Sequence, residues 1–261
     1  EYTDETRPKE TDAALDVGAA TLDDLPLALT LAGSVLAAYP SLTVADYLAD
    51  LNQPDLLRRL LPEPDAQPVS WTKHDLDVAR TFAVSFDRLR LDDEADLYAL
   101  LLLAGATCLV HGEPFPRALL TGMLPGDDPR PAERAVNRLP ALGLLERSGV
   151  ALRLHRLIGR FVVEEVARRD TEVAEGEGLM ATVRAAVEVA VIQALSQANK
   201  SGDPRSLRGV EIHLRHVVDQ TTGREDEAAA LLNNRLGYYL QMSGDLAGAR
   251  PYFERALAIS E

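Results

Sequence analysis

The chemistry available to this 261-residue chain rests on five histidines, one cysteine, paired carboxylates and a run of arginines. The most specific placement is that of His155. In LLERSGVALRLHRLIGRFV (144–162), two short apolar runs flank Ser148-Gly149, and the second run ends on His155. An apolar-periodic helix follows without a linker. A histidine at such a strand–helix junction either pins the ribbon to the helix or faces a neighbouring domain or a bound phosphate. His213 and His216 stand three apart on an expected helix, with Glu211 nearby. A metal site needs a third or fourth converging ligand, so a solvated face is expected there. Cys108 and His111 are near neighbours, but that spacing does not make a nucleophile–base pair, and Cys108 is expected to be buried. Glu164-Glu165 reads as polar helix surface, and Asp92-Asp93-Glu94 as acidic residues at a helix N-terminus, where the helix dipole favours them. No convergent acid–base, nucleophile or metal set emerges, so an enzymatic role is not expected of this chain.

Arg130, Arg134 and Arg138 recur every four residues and share one helix face. From Arg117 to Arg160 eight arginines (117, 130, 134, 138, 147, 153, 156 and 160) stand against four acidic residues (127, 128, 133 and 146). That face reads as packing against an acidic neighbour rather than DNA contact. The net charge of −14 argues against nucleic acid or an anionic membrane as a general partner. The chain lacks aromatic stacking residues in this stretch, which argues against single-strand binding.

Three units position these groups. The first spans 1–68 and is helical. LPLALTLAGSVLAAY (25–39) has helical apolar spacing with Pro26 at its first turn, Thr43 caps a second segment, and a third helix is expected at 54–61. PEPDAQPVS (62–70), with three prolines, marks a boundary. The second unit, 69–170, has expected helices at 73–89, 92–108, 116–123 and 131–142, then a hairpin of 144–147 and 151–155 as the sole β structure. Helices followed by a two-stranded ribbon are the winged-helix order. The third unit, 171–261, is expected to be wholly helical, with helices at 179–199 and 206–221 and a pair over 226–261. In that pair the small residues Gly237, Ala249 and Ala256, with Leu236 and Phe253 between, fit a tetratricopeptide hairpin. One period of about 34 residues earlier, Asp203 and Arg215 stand where small residues are required. The fold class is therefore mainly α: a helical bundle, a winged helix with a small ribbon, and the start of an α-solenoid.

Leu and Ala dominate, aromatics are 5% and the hydrophobic fraction is 46%, which favours helices and packed cores. The lone cysteine fits a reducing, cytoplasmic setting. No apolar run of the length of a membrane span is read from the sequence, and the N-terminal residues do not form a signal peptide. The chain reads as a piece of something larger, with more repeats expected beyond residue 261.

Four segments in order resemble the signal-transducing STAND ATPases of the NB-ARC type. LPLAL (25–29) is similar to their GLPLAL segment, with Asp24 in place of the glycine. TFAVSFDRL (81–89) with DLYALLLLAG (96–105) resembles the opening of their winged-helix domain. LRLHRLIGRFV (152–162) occupies the place of the MHD motif, with Arg156 after the histidine. The segment 231–261 is similar to the first tetratricopeptide repeat of many bacterial members. The resemblance implies an ARC1-like helical domain (1–68), a winged-helix domain (69–170), and a helical linker with the first repeat (171–261). It also implies that Pro26 lines a nucleotide pocket near adenine and that His155 reaches the β-phosphate of bound ADP. No G-x-x-x-x-G-K-[ST] occurs, and none of the three lysines follows a glycine. The chain itself is thus expected to hold no cofactor. ADP or ATP with magnesium is expected only with a nucleotide-binding domain upstream, and a protein partner is expected on the repeats. The competing readings are a winged-helix DNA-binding regulator with a repeat array, and a non-enzymatic helical scaffold.

Overall fold

The computed structural model describes residue 16 and residues 20–23, 25–53, 73–90, 92–124, 128–172 and 178–260. Asp24, the expected helix 54–61 and the proline-rich segment 62–70 lie outside the described residues.

The helix starts follow from local chemistry. α1 (Pro26–Ala38) begins with Pro26 at its first position, where the missing N–H would have had no helical partner. α2 (Val44–Leu51) opens on a reciprocal cap: the Asp46 N–H donates to Thr43 Oγ1 at 3.1 Å, and the Thr43 N–H donates to Asp46 Oδ2 at 3.3 Å. α3 (Lys73–Phe86) leads through a short turn to α4 (Glu94–Ala106), whose cap Asp93 accepts the amides of Ala95 and Asp96 at 2.9 and 3.0 Å. The acidic triplet 92–94 thus sits at a helix N-terminus, as expected. α5 (Arg117–Thr121) is a short turn, and α6 (Pro129–Ala141) starts two residues earlier than Pro131 because Asp128 accepts the Arg130 N–H at 3.0 Å. Pro131 still fits there, since the first four amides of a helix lack intrahelical partners.

The sheet departs from expectation. A third strand, β1 (Phe115–Pro116), joins β2 (Glu146–Ser148) and β3 (Ala151–Arg153) in the antiparallel order β1-β3-β2. Phe115 pairs with Leu152, and Ser148 with Ala151. The loop is Gly149-Val150 rather than Ser148-Gly149: Gly149 adopts φ +61°, which a tight two-residue hairpin demands at its first position. β1 is too short to leave a periodic signal.

α7 (Arg156–Glu172) then runs back beneath α3 and α4, stacking Phe161 on Phe82 at 5.5 Å between ring centres. α8 (Leu179–Ser201) packs against α4, α5 and α7. By length and composition α8 is apolar enough to cross a membrane, contrary to the sequence reading, but Val183, Val187, Val191 and Leu195 are buried against its neighbours. In place of one helix over 206–221, Asp203 and Pro204 start a 3-10 turn (Pro204–Leu207), and α9 (Glu211–Asp219) follows. α10 (Glu227–Met242) and α11 (Leu246–Ser260) form the last pair. A Cβ on Gly237 would lie 3.0 Å from the Phe253 ring, so the missing side chain sets their close approach. Ala249 and Ala256 are buried. Arg215, at a position where a small residue was required, instead ion-pairs with Glu211 at 2.9 Å and with Asp245, just before α11, at 2.7 Å. The buried residues make one continuous cluster from Leu22 to Tyr252, so the described parts of all three units share a core.

A polar knot ties the first unit to the second. Asp96, 6% exposed, accepts the Arg138 Nε at 2.9 Å and the Arg90 N–H at 3.0 Å. Arg138 also donates to Tyr39 Oη at 2.6 Å and lies over its ring, as does Arg88, which pairs with Asp50 at 2.6 Å. Removing one member of such a pair leaves an uncompensated charge. Arg138→Ala is expected to destabilise the chain by about 2–4 kcal/mol, whereas exposed Arg134→Ala changes it by less than about 0.5 kcal/mol. Urea unfolding of the two variants checks this, and equal effects would contradict the knot.

Candidate functional site

His155 occupies the junction between β3 and α7 and serves as the helix cap. Its backbone carbonyl accepts the Gly159 N–H at 2.9 Å, and its Nδ1 accepts the Leu157 N–H at 3.3 Å. A neutral ring accepting through Nδ1 carries its proton on Nε2. The half-buried imidazole therefore offers one N–H donor that no described residue takes up. Burial lowers its pKa; Glu146 raises it and Arg156 lowers it. Arg156, exposed and next in sequence, and Glu146 are the charged groups that act on the imidazole. Arg153 pairs loosely with Glu146 at 3.8 Å. The junction thus combines an N–H donor with the exposed Arg156 guanidinium, beside the Glu146 carboxylate that Arg153 partly offsets.

Pro26 is exposed at the start of α1, and its carbonyl accepts the Thr30 hydroxyl at 2.7 Å. No hydrogen bond joins it to His155. Their elements do approach: a Cβ on Gly143, just before the ribbon, would lie 3.2 Å from Leu31 and 3.1 Å from the Ser34 hydroxyl. Between α1 and β2 lies an open cavity of about 520 Å³ whose lining includes Thr30, Ser34, Gly143, Glu146 and Arg147. Neither Pro26 nor His155 lines it. A larger open groove of about 1340 Å³ lies elsewhere, between α4, α5, α6 and α8.

The basic stripe is not a uniform free face. Arg130 pairs with Asp128 at 2.8 Å and Arg134 is exposed, but Arg138 is committed to Asp96 and Tyr39. The acidic neighbour that Arg138 meets belongs to this chain.

His213 overturns the expectation of a solvated face. It is fully buried, with its ring edge-on to Phe115 at 5.8 Å. Its Nδ1 accepts the Val110 N–H at 3.1 Å, so Nε2 donates to the Pro114 carbonyl at 3.1 Å. The buried positions of α9 and its cap, 210, 213, 214, 217 and 218, follow helical spacing, which puts His213 on the inward stripe. His216 is exposed and bonds Gln220 at 2.8 Å. No group of three or more metal-ligating side chains gathers among the described residues. Cys108 is buried, which raises its thiol pKa.

No protein-family description, curated protein or solved structure matches the chain.

Burial lowers the pKa of His213, against the opposing influence of the Pro114 hydrogen bond and of Glu113. The unfolded chain then binds more protons than the folded one below the ordinary imidazole pKa of about 6.5. The stability this site contributes is complete above that pH and declines as pH falls toward the depressed folded value. Urea midpoints at pH 7.5 and 5.5 are expected to show the decline, and His213→Asn is expected to flatten it. An unchanged slope would contradict a neutral buried His213.

Proposed function

We propose that this chain is the regulatory and sensor portion of a STAND signal-transduction ATPase of the NB-ARC type, a cytoplasmic, non-catalytic part of a longer protein. In this reading α3–α7 with the three-stranded sheet form a winged-helix domain, and α10–α11 form the first tetratricopeptide hairpin. The observation that carries the reading is the free Nε2–H of His155, held outward because Nδ1 is engaged by the Leu157 N–H. The exposed Arg156 beside it adds positive charge that favours a phosphate oxygen. An upstream nucleotide-binding domain supplies the P-loop and magnesium site. The exposed ring of Pro26 supplies an apolar surface for the base, as the resemblance implies. Bound ADP then holds that domain against the winged helix, and the repeats bring a protein partner that shifts the balance.

The test uses the longer protein that contains the nucleotide-binding domain. ADP at about 100 times its dissociation constant is expected to stabilise it by about 2.7 kcal/mol, a rise of a few degrees in melting temperature. His155→Ala is expected to remove most of the rise without lowering the melting temperature of the ADP-free protein by a comparable amount. A melting temperature that ignores both ADP and ATP would sink the sensor role.

A further inference from the structure

The segment 109–116 is gripped from two sides. On one side His213 of α9 holds two of its backbone groups, the Val110 N–H and the Pro114 carbonyl, each at 3.1 Å. On the other side the Gly112 N–H donates to the Leu154 carbonyl at 2.8 Å, and Phe115 pairs with Leu152 of β3. Gly112 adopts φ +85°, which turns its amide toward Leu154 at a position where a side chain would be strained. The His111 ring lies against Gly159 of α7: a Cβ there would sit 2.6 Å from His111 Cε1. Leu154 and Gly159 bracket His155, and the Gly159 N–H is one of the two amides that His155 caps.

We infer that His213 is the coupling residue through which the position of the helical array is transmitted to the His155 junction. Both ring nitrogens of His213 are committed to this one segment, and the ring is sealed from water. α9 therefore cannot shift against the sheet and leave the segment in place without stranding both nitrogens of the fully buried His213 ring, which is costly. The lower-cost motion carries the segment along, and its other grip displaces Leu154, Gly159 and the cap between them. Contiguous packed and hydrogen-bonded contacts of this kind carry energetic coupling between sites. The coupling stands on these contacts alone. Only its purpose, passing repeat occupancy to a nucleotide latch, rests on the function proposed above.

Amide hydrogen exchange on this chain tests the coupling without any nucleotide, so its failure is distinct from a failure of the sensor reading. His213→Ala is expected to speed exchange about tenfold at Val110, and by a comparable factor at Gly112, Leu157 and Gly159. His213→Asn, which keeps an acceptor for the Val110 N–H, is expected to restore most of the protection at all four. Leu214→Ala removes a buried side chain from the same helix while keeping the two His213 ring nitrogens that bond the segment. It is expected to leave Gly112, Leu157 and Gly159 closer to the unsubstituted chain. Acceleration confined to Val110, or equal effects of His213→Ala and Leu214→Ala at Leu157 and Gly159, would overturn the inference. Should His213→Ala fail to fold, His213→Leu, which fills the space and removes both ring nitrogens, replaces it: acceleration at Gly112, Leu157 and Gly159 beyond that of Leu214→Ala supports the coupling, and acceleration no greater than that of Leu214→Ala overturns it.

Discussion

The structure depends on how one short segment, 109–116, satisfies its backbone polar groups. A buried polar group left unpaired costs about 1–3 kcal/mol, and the fully buried His213 ring avoids that cost by bonding both its nitrogens to this segment. Here the partners come from elements far away in sequence, His213 on one side and Leu154 on the other. Meeting that requirement fixes the third helical unit against the sheet. It also gives the sheet its third strand, since Phe115 lies next to Leu152 once Gly112 has turned. The shared hydrophobic core supplies the attraction, and these directional bonds choose the register.

A similar logic holds at two other seams. Arg138, Asp96 and Tyr39 join the first unit to the second, and Arg224 joins Glu188 of α8 to Asp226 at the cap of α10. Glu188 is only 9% exposed, so its pairing with Arg224 is what makes its burial tolerable. These seams hold charged groups where a purely apolar contact would let the elements slide. Of the eight arginines in the basic stretch, Arg138 is the one these seams take up, and its acidic partner lies within this chain.

What the sequence made legible was local. The Pro26 start, the Thr43–Asp46 cap and the Asp93 cap are written in residues within one turn of each other, and all lie close to their expected places. The ribbon and the helix behind His155 were legible because apolar periodicity changes at that residue. The hairpin of α10 and α11 was legible from Gly237, Ala249 and Ala256. The contacts that were missed are long-range. Arg138 meets Asp96 and Tyr39 across 42 and 99 residues, and His213 meets Val110 across 103, separations over which no spacing rule speaks. Yet His213 could have been placed inward, because Leu214, Val217 and Val218 outline the buried stripe on which it falls. Its pairing with the polar-looking His216 obscured that.

Taken together, the fold presents His155 as a neutral donor at the rim of the sheet, fixed from behind by its own helix and steadied through Leu154 by the segment that His213 holds. The Leu157 amide fixes which nitrogen of the neutral ring carries the proton, and burial lowers the imidazole pKa and so favours that neutral form. The most direct test is the imidazole nitrogen spectrum of His155 near pH 7.5, read from long-range proton–nitrogen correlations. The neutral tautomer with the proton on Nε2 and an accepting Nδ1 is the predicted result. A proton on Nδ1, or an imidazolium at that pH, would contradict the account.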